Sequence, residues 1–119
     1  MPLHVESLGL GPDLVLLHGW GLHGGVWRPL VARLGARFRL HLVDLPGHGH
    51  SRGAAFGGLD AVADAVARCV PEGATVGGWS LGGLVAMRLA TRHPRLAARL
   101  AFMSATPCFA QRADWPHAM

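Results

Sequence analysis

The stretch GGWSLGG, residues 77–83, decides the fold class of this chain. An apolar, strand-like run leads into it, and a helix-like run from Leu81 to about His93 follows. Residues 78–82 fit G-x-S-x-G, in which glycines two positions either side of the serine permit a sharp turn from strand to helix. Such a turn lifts the Ser80 hydroxyl above the edge of a sheet, at the positive end of a helix. The stretch predicts a nucleophilic serine, and a serine that merely caps the helix is the alternative.

Strand-like and helix-like runs alternate along the chain. Strands are predicted at 14–17, 38–43, 74–76 and 100–103, and helices at 27–34, 59–69 and 81–93. This alternation is typical of a parallel sheet with crossover helices. Most strand-like runs are continuously apolar, as in strands buried on both faces. The sequence therefore predicts an α/β fold with about four strands, in which residues 1–119 form the N-terminal part of a single domain.

Three details of this pattern carry further expectations. Arg39 and His41 alternate with apolar neighbours, which places the second predicted strand nearer a sheet edge. In the second helix, Asp64 and Arg68 stand four residues apart and are expected to form an ion pair, and Pro71 ends the helix. The third helix is apolar nearly all round and carries a stripe of small side chains, so it is expected to lie buried against the sheet.

Composition and charge exclude several classes of function. The formal net charge is +4, but the basic residues are all arginines and are scattered, so a nucleic-acid partner is not predicted. Cys69 and Cys108 form no metal or redox motif and are expected to be buried in a reducing compartment. The first residues do not resemble a signal peptide, and no apolar run approaches membrane-spanning length. A cytoplasmic protein that binds no membrane is expected.

Glycine-rich turns follow three of the predicted strands, at 18–25, 44–53 and 77–83. Ligands of open parallel sheets bind at the carboxyl ends of the strands, where these turns should meet. A serine nucleophile needs N–H donors for the oxyanion that it creates. Leu81 is expected to supply one, and Trp20 the other, with its indole beside the acyl pocket. A large core residue is the alternative for Trp20, and His18 is expected to hold its loop rather than act as a base.

The segments LVLLHGWG, LVDLPGHGHS and GWSLGG resemble the successive turns of the α/β-hydrolase superfamily. The late stretch SATPCFAQRADWP, residues 104–116, narrows the resemblance to the carboxylesterases of biotin synthesis, which act on the methyl ester of a pimeloyl group on acyl carrier protein. The resemblance covers nearly the whole chain. It implies that Ser80 is the nucleophile, that Trp20, Ser80 and Leu81 bind the substrate, and that the N–H groups of Trp20 and Leu81 form the oxyanion hole. It implies an acyl-carrier-protein-linked or small ester as substrate, a loop at 44–51 that shapes the site, and no cofactor.

The triad of the superfamily is incomplete in these residues. An acid and then a histidine follow the serine in chain order, and after Ser80 the chain offers only Asp114, His93 and His117. His93 ends the third predicted helix, which at 1.5 Å per residue places it about 20 Å from Ser80. The other two lie in a tail after the last predicted strand. We therefore expect the N-terminal half of an esterase, inactive alone, and a non-catalytic remnant is the alternative.

Two further classes have partial support. Residues 19–24 fit G-x-G-x-x-G and Asp44 follows about 20 residues later, as in dinucleotide-binding domains, but that pattern leaves the serine turn unexplained. Asp44, His48 and His50 suggest a metal site, yet Arg52 and Gly53 stand where an H-x-H-x-D-H motif needs its next two ligands. No metal is predicted, and the loop histidines are expected to be solvated.

Overall fold

The structure, a computed structural model, describes residues 2–106 of the 119. The predictions made for Asp114, His117 and Cys108 lie outside the described residues. The described part contains strands β1 (Val5–Gly9), β2 (Asp13–Leu17), β3 (Arg39–Val43), β4 (Ala74–Trp79) and β5 (Ala97–Met103), helices α1 (Arg28–Leu34), α2 (Leu59–Ala67) and α3 (Leu81–Arg92), and short 3-10 turns at Gly24–Trp27 and Gly49–Ser51.

The strands form one sheet in the order β1-β3-β2-β4-β5. Strands β3, β2, β4 and β5 run parallel, as predicted for an α/β fold, whereas β1 pairs antiparallel with β3. The sequence prediction missed β1. Strand β3 lies nearer an edge than β2, as expected, but the edge itself is formed by β1. The alternating polar residue of β3, His41, is accommodated because its ring nitrogens contact the Ser7 hydroxyl at 2.8 Å and the Asp13 carboxylate at 2.7 Å.

The hydrophobic core lies on both faces of the sheet. Val15 and Leu17 of β2 join one cluster together with α2 and α3, and Leu14 and Leu16 join a second cluster with Trp27. Successive side chains of a strand point to opposite faces, so the continuously apolar β2 is buried twice, as the sequence predicts. Helix α3 buries Gly82 and Ala86 of its stripe of small residues and runs over the first cluster. Within residues 2–106, the helices are all too short or too polar to span a bilayer.

Ion pairs join α2 to α3 on the surface. The sequence predicted Arg68 as the partner of Asp64, but Asp64 accepts hydrogen bonds from Arg92 at 2.7 and 2.9 Å and from the His93 ring at 2.7 Å. Helix α2 ends at Ala67, ahead of Pro71. These contacts hold the two crossover helices side by side.

Candidate active site

The turn at Ser80 has the strained backbone that a nucleophile turn requires. Strand β4 ends at Trp79, α3 begins at Leu81, and Ser80 between them has φ 56° and ψ −114°. Residues other than glycine rarely adopt this conformation, which costs about 1–3 kcal/mol. The Ser80 N–H donates to the Met103 carbonyl at 3.0 Å, and its own carbonyl accepts from the Gly83 N–H at 3.0 Å. These bonds from β5 and from α3 hold the strained residue in place.

Two glycines around Ser80 are required by close contacts. A Cβ on Gly78 would overlap the backbone of Gly82. A Cβ on Gly82 would overlap the carbonyl oxygen of Leu17. The same Cβ would lie 2.5 Å from the Leu17 carbonyl carbon and 2.7 Å from the His18 carbonyl oxygen. The first turn of α3 therefore packs directly on the end of β2. The glycines of G-x-S-x-G serve the sharp turn predicted from the sequence.

The turns that follow β2 and β4 lie side by side. Leu17 is paired with Gly78 in the parallel register of these strands. A Cβ on Gly19 would lie 3.6 Å from the Ser80 Cβ, which places the HGWG turn against the serine turn. This arrangement brings Trp20 and Leu81, the two expected oxyanion donors, to the same edge of the sheet.

The Trp20 side chain lies mainly in solvent. It is 70% exposed, which excludes the alternative of a core residue. The indole packs edge-on against the ring of His48, with centroids 5.0 Å apart, and against Phe56 at 5.6 Å. Together with Leu22 and Pro46 these rings line a groove of about 310 Å³. The groove is a candidate wall for an acyl chain.

His18 holds its loop, as the sequence indicates. The side chain is fully buried. Its Nε2 accepts the N–H of Leu45 at 3.0 Å, so the proton resides on Nδ1, which donates to the Gly19 carbonyl at 2.7 Å. Burial lowers the pKa of His18 and keeps the ring neutral. Both ring nitrogens are occupied by backbone groups, so His18 is not arranged as a base for Ser80.

Asp44 shapes the turn that follows β3. Its carboxylate is 3% exposed, with Oδ1 accepting the Gly24 N–H at 2.6 Å and Oδ2 accepting the His50 N–H at 2.8 Å. Burial acts to raise the pKa of Asp44, but the two N–H bonds and the charges of nearby histidines together outweigh it, and the pKa lies below its usual value. A dinucleotide site needs this carboxylate for a ribose hydroxyl. In this chain both carboxylate oxygens are directed at backbone groups, which does not favour that alternative.

The loop histidines differ from one another. His50 is exposed, as expected, but His48 is buried, so the expectation of solvated histidines was wrong for it. The His48 Nδ1 donates to the Pro46 carbonyl at 3.0 Å, and its ring packs on His18. His4, and not His48, lies beside Asp44 and His50.

No base or acid for Ser80 emerges from the described residues that follow it. Among residues 2–106, His93 is the single histidine after Ser80 in the sequence. It stands at the far end of α3, where its Nε2 donates to Asp64. A cavity of about 760 Å³ lies at that end, but it adjoins the amino end of β5 and not the carboxyl edge of the sheet that carries Ser80. The described residues thus bring together a candidate nucleophile and two candidate donors.

A strained serine between a parallel strand and a buried helix, beside a second glycine-rich turn, is the arrangement typical of the nucleophile turn in α/β-type hydrolases. The chain belongs to the alpha/beta hydrolase family, because the sequence model of that family matches its residues 14–119. It is 52% identical over 117 residues to a protein of Nitrosomonas europaea named pimeloyl-[acyl-carrier protein] methyl ester esterase. It is also 52% identical over 118 residues to the protein of that name in Chromobacterium violaceum.

The alignments cover 98% and 99% of this chain but 46% of each of these two relatives. The chain therefore spans about half the length of the curated relatives it matches. Solved esterases share the fold. The esterase EaEST from Exiguobacterium antarcticum superposes with a TM-score of 0.87 at 25% identity, over 98% of this chain and 47% of that one. A thermophilic esterase from Thermogutta terrifontis gives 0.81 at 27% identity, over 92% and 42%.

Proposed function

We propose that these residues form the nucleophile-bearing half of a serine carboxylesterase, with Ser80 as the nucleophile. The observation that carries the proposal is the backbone of Ser80, φ 56° and ψ −114°, at the junction of β4 and α3. Strain of this kind persists where the surrounding structure enforces it, and it is concentrated at functional sites. Membership of the alpha/beta hydrolase family and the esterase names of the relatives support the same reaction class.

The chemistry assigned to these residues is acyl transfer to a serine oxygen. The Ser80 Oγ attacks the ester carbonyl carbon while its proton passes to a base, and the alcohol then leaves. The N–H groups of Trp20 and Leu81 would bind the oxyanion. Leu81 is the first residue of α3, so its N–H has no acceptor within the helix and lies at the positive end of the dipole. Water then hydrolyses the acyl-enzyme. We propose that the base and the acid come from the part of the relatives that this chain does not span.

We propose the methyl ester of pimeloyl-acyl carrier protein as the substrate. The support is the 52% identity to proteins named for that activity and the groove beside Trp20, which offers aromatic surface to an acyl chain. The reaction needs no cofactor. The cytoplasmic location and the lack of nucleic-acid or membrane binding stay predictions.

The nucleophile is tested in a chimera that joins residues 1–119 to the second half of the Nitrosomonas europaea relative. We expect the chimera to hydrolyse short p-nitrophenyl esters and the Ser80→Ala variant to lose this activity. Ser7→Ala is the matched control, since Ser7 contacts His41 in the strand pair β1–β3, and it should retain activity. Hydrolysis by the Ser80→Ala chimera would place the nucleophile elsewhere. A chimera that cleaves p-nitrophenyl esters but not pimeloyl-acyl carrier protein methyl ester would refute the substrate alone.

The dependence on a second half is tested with a fluorophosphonate probe. A serine hydroxyl without a base within hydrogen-bond reach is a poor nucleophile. We expect the 119-residue chain alone to remain unlabelled, and co-expression with the second half of the relative to restore labelling at Ser80. Stoichiometric labelling of Ser80 in the chain alone would show that one of its own histidines reaches the serine.

A further inference from the structure

Two histidines and one aspartate converge outside the serine site. The side chains of His4, Asp44 and His50 each offer a ligand atom, and these atoms lie within 4.8 Å of one another. The two imidazole rings have centroids 4.6 Å apart, and the His50 Nδ1 lies 3.4 Å from the Asp44 Oδ2. The cluster opens into a cavity of about 540 Å³, and Ser80 is not among the residues that line it.

The backbone holds these three residues together without a bound ion. Val5 is paired with Val43, so His4 stands opposite Asp44, and the Asp44 N–H donates to the His4 carbonyl at 3.0 Å. The His50 N–H donates to the Asp44 carboxylate at 2.8 Å. The arrangement joins the start of β1 to the loop after β3. A ligand that binds there meets residues that are already ordered, which lowers the entropic cost of binding.

The ligand chemistry favours a transition-metal dication. Two imidazoles and one carboxylate are typical ligands of Zn²⁺ and its neighbours, whereas Ca²⁺ and Mg²⁺ prefer sets of oxygen ligands. Tetrahedral bonds of 2.0–2.1 Å need ligand atoms about 3.4 Å apart. The side chains of His4 and His50 are exposed, so small rotations can close the site.

The charges around the cluster are compatible with a cation. The buried Asp44 carboxylate accepts two backbone N–H bonds and no side-chain cation closes on it more tightly than His50, at 3.4 Å, among the described residues. Arg28 lines the same cavity, but its guanidinium lies 2.7 Å from the Glu6 carboxylate, which compensates its positive charge. An ion at the cluster would meet the Asp44 carboxylate, whose oxygens also accept two backbone N–H bonds, and the imidazoles of His4 and His50.

We propose that His4, Asp44 and His50 bind one divalent transition-metal ion of the zinc class, separate from Ser80, with one coordination position left to water. The ion would clamp the first strand to the loop after β3. The proposal departs from the absence of a metal predicted from the sequence, and it is independent of the esterase function.

The test measures metal binding by the 119-residue chain, with no affinity tag and with metal removed. We expect titration with ZnCl₂ to give one strong site per chain, CoCl₂ to give visible d–d absorption, and MgCl₂ to give neither. His4→Gln and His50→Gln should each weaken Zn²⁺ binding about 100-fold. Each substitution removes a direct ligand, and changes to the residues that merely hold a ligand already cost up to about 100-fold. Both side chains are exposed, so the melting temperatures without metal should match the parent chain.

His93→Gln is the matched control, because His93 also contacts an aspartate, Asp64, but stands outside the cluster. It should bind Zn²⁺ as tightly as the parent chain. Unchanged affinity in His4→Gln or in His50→Gln would overturn the proposal. Equal losses in all three histidine variants would do the same, since they would indicate diffuse binding to surface histidines.

Discussion

Replacing Ser80 by glycine isolates the backbone strain of the nucleophile turn. With φ 56° and ψ −114°, a residue that carries a Cβ costs about 1–3 kcal/mol relative to a relaxed conformation. Glycine adopts this region without strain but loses about 0.5–1 kcal/mol through the greater freedom of the unfolded chain. We therefore expect Ser80→Gly to raise the free energy of unfolding by about 1 kcal/mol. For a domain of this size that corresponds to an increase of about 5 °C in melting temperature.

Ser80→Ala is the matched control, because alanine keeps the Cβ, and therefore the strain, while it removes the hydroxyl. Its stability should lie within about 0.5 kcal/mol of the parent chain. The assay is thermal and urea unfolding followed by circular dichroism, with the three proteins in one buffer. If Ser80→Gly proved no more stable than Ser80→Ala, the turn would store no strain at this residue and the argument for a nucleophile turn would lose its basis.

Four further outcomes follow from other contacts. In the active chimera, Trp20→Pro removes the backbone N–H and should raise the activation free energy of ester hydrolysis by about 2.7–4 kcal/mol. Trp20→Phe keeps the N–H and should keep most of kcat, and equal effects of the two substitutions would refute a backbone donor. Gly82→Ala should lower the free energy of unfolding by about 1–3 kcal/mol, because the added Cβ meets the carbonyl of Leu17 and this outweighs the higher helix propensity of alanine. A higher melting temperature would contradict the close packing. Arg92 holds the pKa of Asp64 well below its unfolded value of 3.8, so the stability that Asp64→Asn removes should be full above that pH. It should decline as pH falls below that value and be lost only as pH passes the lower pKa of the folded state; the difference in melting temperature between the two proteins, followed from pH 7 to pH 2, tests this sign. Burial raises the pKa of Cys69 to about 11, so at pH 8 only about 0.1% of this thiol is thiolate. In a variant whose second cysteine is replaced by serine, a thiol reagent should react slowly until urea unfolds the chain, and rapid reaction in the folded chain would show an exposed thiol.

The serine turn and the parallel strands could be predicted because their signals are local. The continuously apolar runs at β2 and β4 indicate strands buried on both faces, and the glycines beside Ser80 indicate the turn that the structure contains. Helix α1 begins after a 3-10 turn and has Gly35 at its C-cap, where the sequence expected its end. Each of these features depends on a few consecutive residues.

Strand β1 and the contacts that cross the fold could not be predicted in this way. The segment VESLG has no apolar run, and it becomes a strand because the edge of β3 offers it hydrogen bonds. Because the sequence does not show that pairing, it could not predict the proximity of His4 to Asp44. The partner of Asp64 was missed for the same reason, because Arg92 is a neighbour through helix packing and not through the spacing within α2. Long-range register, unlike a turn motif, is set by the assembled sheet.

The position of β5 sets an order of events during synthesis of any longer chain that contains these residues. The Ser80 turn is complete once Met103 has emerged from the ribosome, because the Ser80 N–H pairs with the Met103 carbonyl. At that moment β5 forms one of the two edges of the described sheet, and Leu100 and Phe102 on it are 36% and 46% exposed. A nascent chain at this stage already holds Ser80 in its strained turn and still offers an open strand edge to neighbouring chains made from the same messenger. Rapid arrival of a further strand, or a chaperone that covers this edge, would then decide between folding and aggregation.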